Sequence, residues 1–106
     1  MTIEGKRKLA NAGDITALDY LGYCYYCGTD GDNKDEKEAV RLFKLAADQG
    51  YANAQSNLGL CYQHGTGVNK DEKEAVRLYK LAADQGYAQA ISNLKTLGMY
   101  HTKVIS

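Results

Sequence analysis

The chain has 106 residues, which suits one domain and is too short for two independent cores. Its 13 Lys and Arg residues balance 13 Asp and Glu residues, so the formal net charge is +0. This balance lacks the basic excess that non-specific nucleic-acid binding requires, and we expect no nucleic-acid partner. The chain has no Pro and no Trp but 9 Tyr and 11 Gly. That composition disfavours an all-β sandwich and favours closely packed helices.

The targeting and redox signals in the sequence are weak. The first eight residues carry positive charge without the apolar core of a signal peptide. No run approaches the ~18 apolar residues of a membrane span. Three cysteines are an odd, small number that argues against a disulfide framework. We therefore expect a cytoplasmic protein with no membrane partner, unless the chain is a fragment of a longer secreted protein.

Two segments of the chain are almost identical. Residues 34–52 and 70–88 differ only at Phe43 versus Tyr79, with an offset of 36. Upstream, Leu21-Gly22 matches Leu58-Gly59 with an offset of 37, which assigns one inserted residue to the loop 30–33. Because insertions are tolerated in surface loops, the sequence predicts a repeat protein with an exposed loop at this position.

Each repeat contains two helical patterns. In the first, residues at i, i+4, i+7 and i+8 share one helical face, namely Ala54, Leu58, Cys61 and Tyr62. The second begins at Asp71, which can form a capping box with Glu74, and ends before Gly86, which suits the C′ position. The same roles in the preceding repeat fall to Asp35, Glu38 and Gly50.

The two ends of the chain are partial copies of the repeat. Residues 7–13 resemble 44–50, which predicts the tail of a preceding second helix. Residues 90–94 begin a third copy, in which Lys95 occupies the slot of Gly22 and Gly59. A glycine inside a helix costs ~1 kcal/mol relative to Ala, so its recurrence predicts close backbone approach by a neighbouring helix. Lys95 predicts that this neighbour is missing and that the last helix is a solvated end cap.

We predict an all-α fold, an α/α superhelical solenoid of about five helices. Its parts are a helix tail at 1–13, one full repeat at 14–50, a second at 51–86, and a partial third repeat with a C-terminal cap at 87–106.

The pattern A-x-A-x-x-x-L-G-x-x-Y-x-x-G-x-G-V-x-x-D-x-x-x-A-x-x-x-Y-x-x-A-A-x-Q-G, present from Ala52 to Gly86, resembles the Sel-one-like repeat, a relative of the tetratricopeptide repeat. The resemblance covers roughly residues 5–100 and departs at Asp30, at Leu42-Phe43 and in the third copy. It implies a solenoid whose first helices line a concave surface and whose second helices lie outside. It also implies an adaptor that assembles protein complexes.

Cys24, Cys27, Cys61 and His64 have zinc-like spacing. Both pairs fall in the same slot of successive repeats, so duplication explains the spacing. Neighbouring helices lie ~8–10 Å apart, too far for equivalent cysteines to share one metal at ~2.3 Å or to form a disulfide. We therefore predict no metal, no cofactor and no catalytic residue, and we assign Cys24 and Cys61 to the core.

The first helices of the two repeats differ far more than the second helices do. Their varied slots recur at i, i+3 and i+7 and would form a ladder on the concave face. We predict that a protein or peptide binds this ladder through Tyr20, Tyr23, Cys27, Asn57, Leu60, His64, Asn93 and Thr96. Neutral drift on a solvated face is the alternative explanation.

The sequence therefore predicts a non-catalytic adaptor scaffold with a protein or peptide partner. One alternative is enzymatic, since some secreted, disulfide-rich relatives of this repeat family are linked to β-lactam binding or hydrolysis. This chain lacks their regularly paired cysteines and a serine-lysine motif. The other alternative is a structural fragment that associates with itself through open solenoid ends, because two full repeats are fewer than the ~3 usually needed for stability.

Overall fold

The computed structural model describes residues 3–11, 13–28 and 34–98, and these residues form six α-helices. The helices are α1 (Ile3–Asn11), α2 (Ile15–Cys27), α3 (Glu36–Asp48), α4 (Ala52–His64), α5 (Glu72–Asp84) and α6 (Ala88–Thr96). Each helix packs against the next along the chain, and α2 also approaches α4. The predicted all-α solenoid is confirmed, with one helix more than the expected five because the two flanks each contribute one.

The second helices of the two repeats, α3 and α5, begin at the predicted aspartates. The Oδ1 atom of Asp35 accepts a hydrogen bond from the backbone N–H of Glu38, and that of Asp71 from the backbone N–H of Glu74, both at 3.1 Å. These bonds satisfy N–H groups that have no partner inside the helix. The predicted N-caps are therefore confirmed.

The reciprocal half of the predicted capping boxes is wrong. The backbone N–H of Asp71 donates to the carbonyl of Tyr62 at 2.8 Å, so it is already satisfied by the preceding helix. The Glu74 carboxylate instead accepts from the Nε and Nη2 atoms of Arg77 at 2.9 and 2.6 Å. The first repeat has the same arrangement of partners. The bond from Asp71 to α4 therefore takes the place of the bond that the Glu74 carboxylate would accept in a capping box.

The recurring glycines of the first helices face aromatic rings of the second helices. A Cβ atom on Gly22 would lie 2.7 Å from the ring of Phe43, and one on Gly59 would lie 2.6 Å from the ring of Tyr79. The neighbouring helix does approach closely, but it does so mainly through an aromatic side chain and not through its backbone as predicted. Lys95, in the third slot, is exposed. The predicted cap beyond residue 98 and the inserted loop at 30–33 lie outside the described residues.

The single difference between the two near-identical segments has a matching difference on the neighbouring helix. The hydroxyl of Tyr79 donates to Oε1 of Gln63 at 2.6 Å. In the first repeat the ring of Phe43 lies beside the ring of Tyr26, with 6.3 Å between centroids. Tyr26 occupies the slot that Gln63 fills one repeat later. A buried hydroxyl is thus present where an amide can accept its hydrogen bond.

None of the described helices has the combination of length and apolar character needed to cross a membrane.

Candidate functional site

A groove with a volume of about 450 Å³ crosses the face formed by the first helices. Its described lining residues are Thr16, Asp19, Tyr20, Tyr23, Tyr51, Asn53, Asn57 and Tyr87, which we call the tyrosine groove. Helix α2 supplies the first four, and α4 supplies the two asparagines. Tyr51 and Tyr87 are the N-cap residues of α4 and α6. The groove therefore draws on all three first helices.

The helical periodicity of α2 separates its groove face from its core face. Thr16, Asp19, Tyr20 and Tyr23 are spaced at i, i+3, i+4 and i+7, so they lie on one side of the helix. The residues that pack into the core from the other side are Ala17, Leu18, Leu21 and Cys24. This division leaves a polar and aromatic stripe on the surface of an otherwise apolar helix.

Asp19 is the charged residue of the groove, and it is only 8% exposed. The Nδ2 atom of Asn57 donates to Oδ1 of Asp19 at 3.0 Å, which links α2 to α4. Burial raises the pKa of the Asp19 carboxyl, while hydrogen bonds from Asn57 and Asn53 act in the opposite direction. The next repeat has Ser56 in this slot, so the carboxylate belongs to the first repeat alone.

The tyrosines of the groove combine exposed rings with partly buried ones. Tyr20 and Tyr23 are 44% and 51% exposed. The ring of Tyr23 stacks on that of Tyr26, with centroids 6.3 Å apart and planes at 28°. Burial, followed by the negative charge of Asp19, raises the pKa of the Tyr87 hydroxyl. The carboxylate of Asp19 on α2 therefore influences the pKa of a hydroxyl at the start of α6.

We expect Asp19→Asn to raise the stability of the fold at neutral pH. The folded pKa of Asp19 lies above its ordinary value of 3.8, so the folded state binds more protons than the unfolded state between these two values. The contribution of Asp19 to stability therefore falls as the pH rises through the folded pKa. Asparagine removes this dependence and keeps an oxygen that can accept from Asn57.

Urea unfolding of the wild type and of Asp19→Asn, at about pH 4 and about pH 7, measures this effect. We expect the unfolding free energy of the variant, relative to that of the wild type, to be larger at about pH 7 than at about pH 4. An equal difference at both pH values would contradict a buried, pKa-raised carboxyl at this position.

Three of the sequence-predicted binding residues line the tyrosine groove, namely Tyr20, Tyr23 and Asn57. The structure brings them together because α2 and α4 lie close enough for the bond between Asn57 and Asp19. Asn57 is half-buried, and the two tyrosines have exposed side chains.

The other five predicted residues lie outside the described lining of the groove. Cys27 and His64 are exposed at the ends of α2 and α4. Leu60 is half-buried and packs against the core formed by α5 and α6. Asn93 is half-buried, and the Thr96 hydroxyl donates to a carbonyl of its own helix at 3.1 Å.

Sequence reasoning did not select the remaining groove residues. Asp19 is the sole charged residue within α2, and it changes to Ser56 in the next repeat, a signal that could have identified it. Tyr51 and Tyr87 follow the same Gln-Gly pair in both repeats and therefore resemble invariant scaffold. Only the solenoid geometry shows that they border a shared groove.

The cysteines are free, and two of them belong to the core as predicted. Cys24 and Cys61 are 6% and 0% exposed. Burial raises the pKa of the Cys61 thiol to about 12, so it is a neutral thiol at physiological pH. Among the described residues, no group of three or more His, Cys, Asp and Glu side chains is arranged to hold a metal ion.

Two tyrosines outside the groove, at equivalent slots of the two repeats, pack against the core. Tyr25 and Tyr62 are half-buried against the core. The hydroxyl of Tyr25 accepts a hydrogen bond from Nη2 of Arg7 at 3.0 Å, which ties α1 to α2.

A larger hollow, of about 1060 Å³, lies between the start of α3 and the loop that precedes α5. Its charged lining consists mainly of the repeated cap segments, including Lys34, Lys37, Lys70 and the two N-cap aspartates. Those aspartates already accept hydrogen bonds from their own helices. We therefore place the candidate site in the smaller tyrosine groove.

The chain is similar to parts of two much longer curated proteins. It is 41% identical over 56 residues to chitin synthase regulatory factor 2 of Schizosaccharomyces pombe, which covers 53% of this chain and 11% of that protein. It is 36% identical over 62 residues to DAP3-binding cell death enhancer 1 of Rattus norvegicus, covering 58% of this chain and 12% of that protein. The chain therefore spans about a tenth of the length of these relatives.

The fold and both repeats match one family. The structure superposes on a Sel1 repeat protein from Oxalobacter formigenes with a TM-score of 0.74 and 32% identity, over 90% of this chain and 44% of that one. Residues 15–51 and 52–87 each match the family model described as Sel1 repeat. Since these two matches account for more than half of the residues, the chain belongs to the Sel1 repeat family.

Proposed function

We propose that the chain is a non-catalytic scaffold that binds a protein or peptide segment through the tyrosine groove. Sel1 repeats generally mediate protein–protein interaction, which favours a protein partner over a small-molecule substrate. One relative is named a regulatory factor and the other a DAP3-binding protein. Both names fit a scaffold role for repeats of this kind.

The observation that carries this proposal is an aromatic groove whose helices are held by hydrogen bonds within and between the repeats. The Nε2 atom of Gln85 donates to the carbonyl of Gly50 and to Oε1 of Gln55, both at 3.0 Å. These bonds tie the end of α5 to α4 and to the loop before it, while the bond between Asn57 and Asp19 joins the first helices α4 and α2. A preformed surface loses little conformational entropy on binding. Exposed tyrosines on such a surface are frequent anchors of protein interfaces.

A matched pair of double variants tests the proposal. Tyr20→Ala with Tyr23→Ala truncates the exposed rings of the groove on α2. Leu45→Ala with Leu81→Ala truncates two residues of similar exposure, 43% and 41%, on the second helices α3 and α5. Both variants remove exposed apolar area, but only the first alters the groove.

Each immobilised protein is incubated with an extract of the source organism, and the retained proteins are identified by mass spectrometry. We expect partners that the wild type and the second-helix variant retain to be lost from the groove variant. Circular dichroism checks that all three proteins keep the same helicity. Equal retention by all three folded proteins would exclude the groove as the binding surface.

A further inference from the structure

We infer that the tyrosine groove receives a cationic side chain, an arginine or lysine of the bound segment, between its tyrosine rings and the carboxylate of Asp19. This inference rests on the proposed function and adds the chemical class of the anchoring residue. It concerns the first repeat, where the carboxylate lies.

The charge of the groove is unbalanced within the described structure. Asp19 contributes a carboxylate, and none of the described lining residues is Lys or Arg. Its partners are the neutral amides of Asn57 and Asn53. Amides lower the free energy of a buried anion but leave its charge in place, so the groove keeps a negative potential that attracts a cation.

Three other carboxylates of the described residues, those of Glu36, Glu38 and Glu74, have cationic partners. Glu38 and Glu74 each form a short ion pair with an arginine three residues later, at 2.6 Å. Those pairs lie on the exposed side of the second helices. Asp19 is more deeply buried than either glutamate, yet no ion pair involving it occurs among the described residues. A partner's cation would supply the missing countercharge.

The tyrosines of the groove also favour a cationic side chain. The faces of aromatic rings attract guanidinium and ammonium groups, and Tyr20, Tyr23, Tyr51 and Tyr87 all line the groove. The apolar stem of an arginine or lysine can pack along the rings while its charged end approaches Asp19. An acidic side chain would be repelled by Asp19. A purely apolar one would remove water from the carboxylate without replacing its hydrogen bonds.

The slot occupied by Asp19 restricts the cation to one point along the solenoid. The second repeat has Ser56 in the corresponding slot, with no charge. The third copy has Ser92 there. A bound segment would therefore be aligned by a single basic residue at the first repeat, and the amides of the later repeats would contact the rest of it.

Titration of the ¹⁵N-labelled full chain with short peptides tests the inference by NMR. The probes are three acetylated, amidated pentapeptides of glycine that differ only at the centre, which is arginine, glutamine or glutamate. The side-chain amide signals of Asn53 and Asn57 report on the groove directly. Asp19→Asn removes the groove charge, and Asp48→Asn removes an exposed carboxyl at the end of α3 as the matched control.

We expect the arginine peptide to shift the amide signals of Asn53 and Asn57 and to bind at least about tenfold more tightly than the glutamine peptide. We expect no groove binding by the glutamate peptide, a roughly tenfold loss for arginine in Asp19→Asn, and no change in Asp48→Asn. The inference is overturned if arginine and glutamine bind equally, if Asp19→Asn leaves arginine binding unchanged, or if no peptide shifts these amides.

The failure of this inference can be distinguished from failure of the proposed function. If the Tyr20→Ala/Tyr23→Ala variant loses its partners while the arginine peptide shows no preference, the groove binds a protein by other chemistry. If the groove variant keeps its partners, the proposed function itself fails, whatever the peptides do.

Discussion

Replacing Tyr79 with alanine is expected to lower the free energy of unfolding by about 3–5 kcal/mol, the usual range for removing a buried aromatic ring. The Tyr79 side chain is 0% exposed and fills the space opposite Gly59 between α4 and α5. Neither helix can close the resulting cavity without moving its backbone. Because domains of this size have only about 5–15 kcal/mol of stability in total, the variant should be close to unfolding.

Urea unfolding monitored by circular dichroism measures this loss, and two further variants assign its cause. Tyr79→Phe keeps the ring but leaves Oε1 of Gln63 without its donor, so we expect a loss of about 1 kcal/mol. Leu81→Ala truncates an exposed residue two positions away and should lie within about 0.5 kcal/mol of the wild type. The packing account would be contradicted if Tyr79→Ala lost no more stability than Leu81→Ala.

The second large effect is expected at Gly67, in the loop between α4 and α5. Its φ of +72° is a conformation that disfavours a side chain. A Cβ atom there would also collide with the backbone carbonyl of Glu36 and lie 2.9 Å from Cγ2 of Val40. Gly67→Ala therefore combines backbone strain with crowding, and we expect a loss of about 2–4 kcal/mol.

Gly50→Ala is the matched control for this prediction. Gly50 also has a positive φ, +89°, but a Cβ atom there would meet no heavy atom within 4 Å. Its loss should therefore be limited to the conformational penalty of about 1–2 kcal/mol. Equal losses at Gly67 and Gly50 in urea unfolding would show that the contact between the loop and α3 contributes nothing.

Gly67, the second glycine of the Gly65-Thr66-Gly67 turn, also lies between the two repeats. Gly67 belongs to the second repeat, while Glu36 and Val40 belong to the second helix of the first repeat. The glycine is therefore a contact between repeats as well as part of a turn. The sequence could identify the loop, but it could not identify which neighbour approaches it.

The fold was predictable because its determinants are local and occur twice. The N-caps at Asp35 and Asp71 depend on residues three positions apart, and the sequence pattern identifies them directly. The slots of Gly22 and Gly59 predicted close packing, and the rings opposite them bear this out. The capping boxes failed because the N–H of Asp71 bonds to the Tyr62 carbonyl on the preceding helix, a contact absent from any local pattern.

The candidate site was only partly predictable because it is assembled across repeats. The variable slots on the first helices identified Tyr20, Tyr23 and Asn57. The convergence of Tyr51 and Tyr87 on the same groove depends on the positions of α4 and α6 relative to α2. The periodicity of residues within one helix does not specify how that helix lies relative to the others. It also placed positions such as Leu60 on the surface, although the packing of α5 and α6 half-buries it.

The affinity of one identified partner for the two matched double variants tests the central claim most directly. Isothermal titration calorimetry with the purified partner gives the dissociation constant for each protein. We expect Tyr20→Ala with Tyr23→Ala to weaken binding by at least about thirtyfold, as loss of an aromatic hot spot does, and Leu45→Ala with Leu81→Ala to leave it unchanged. Equal affinity of the two variants, or a larger loss for the second-helix variant, would contradict binding through the tyrosine groove.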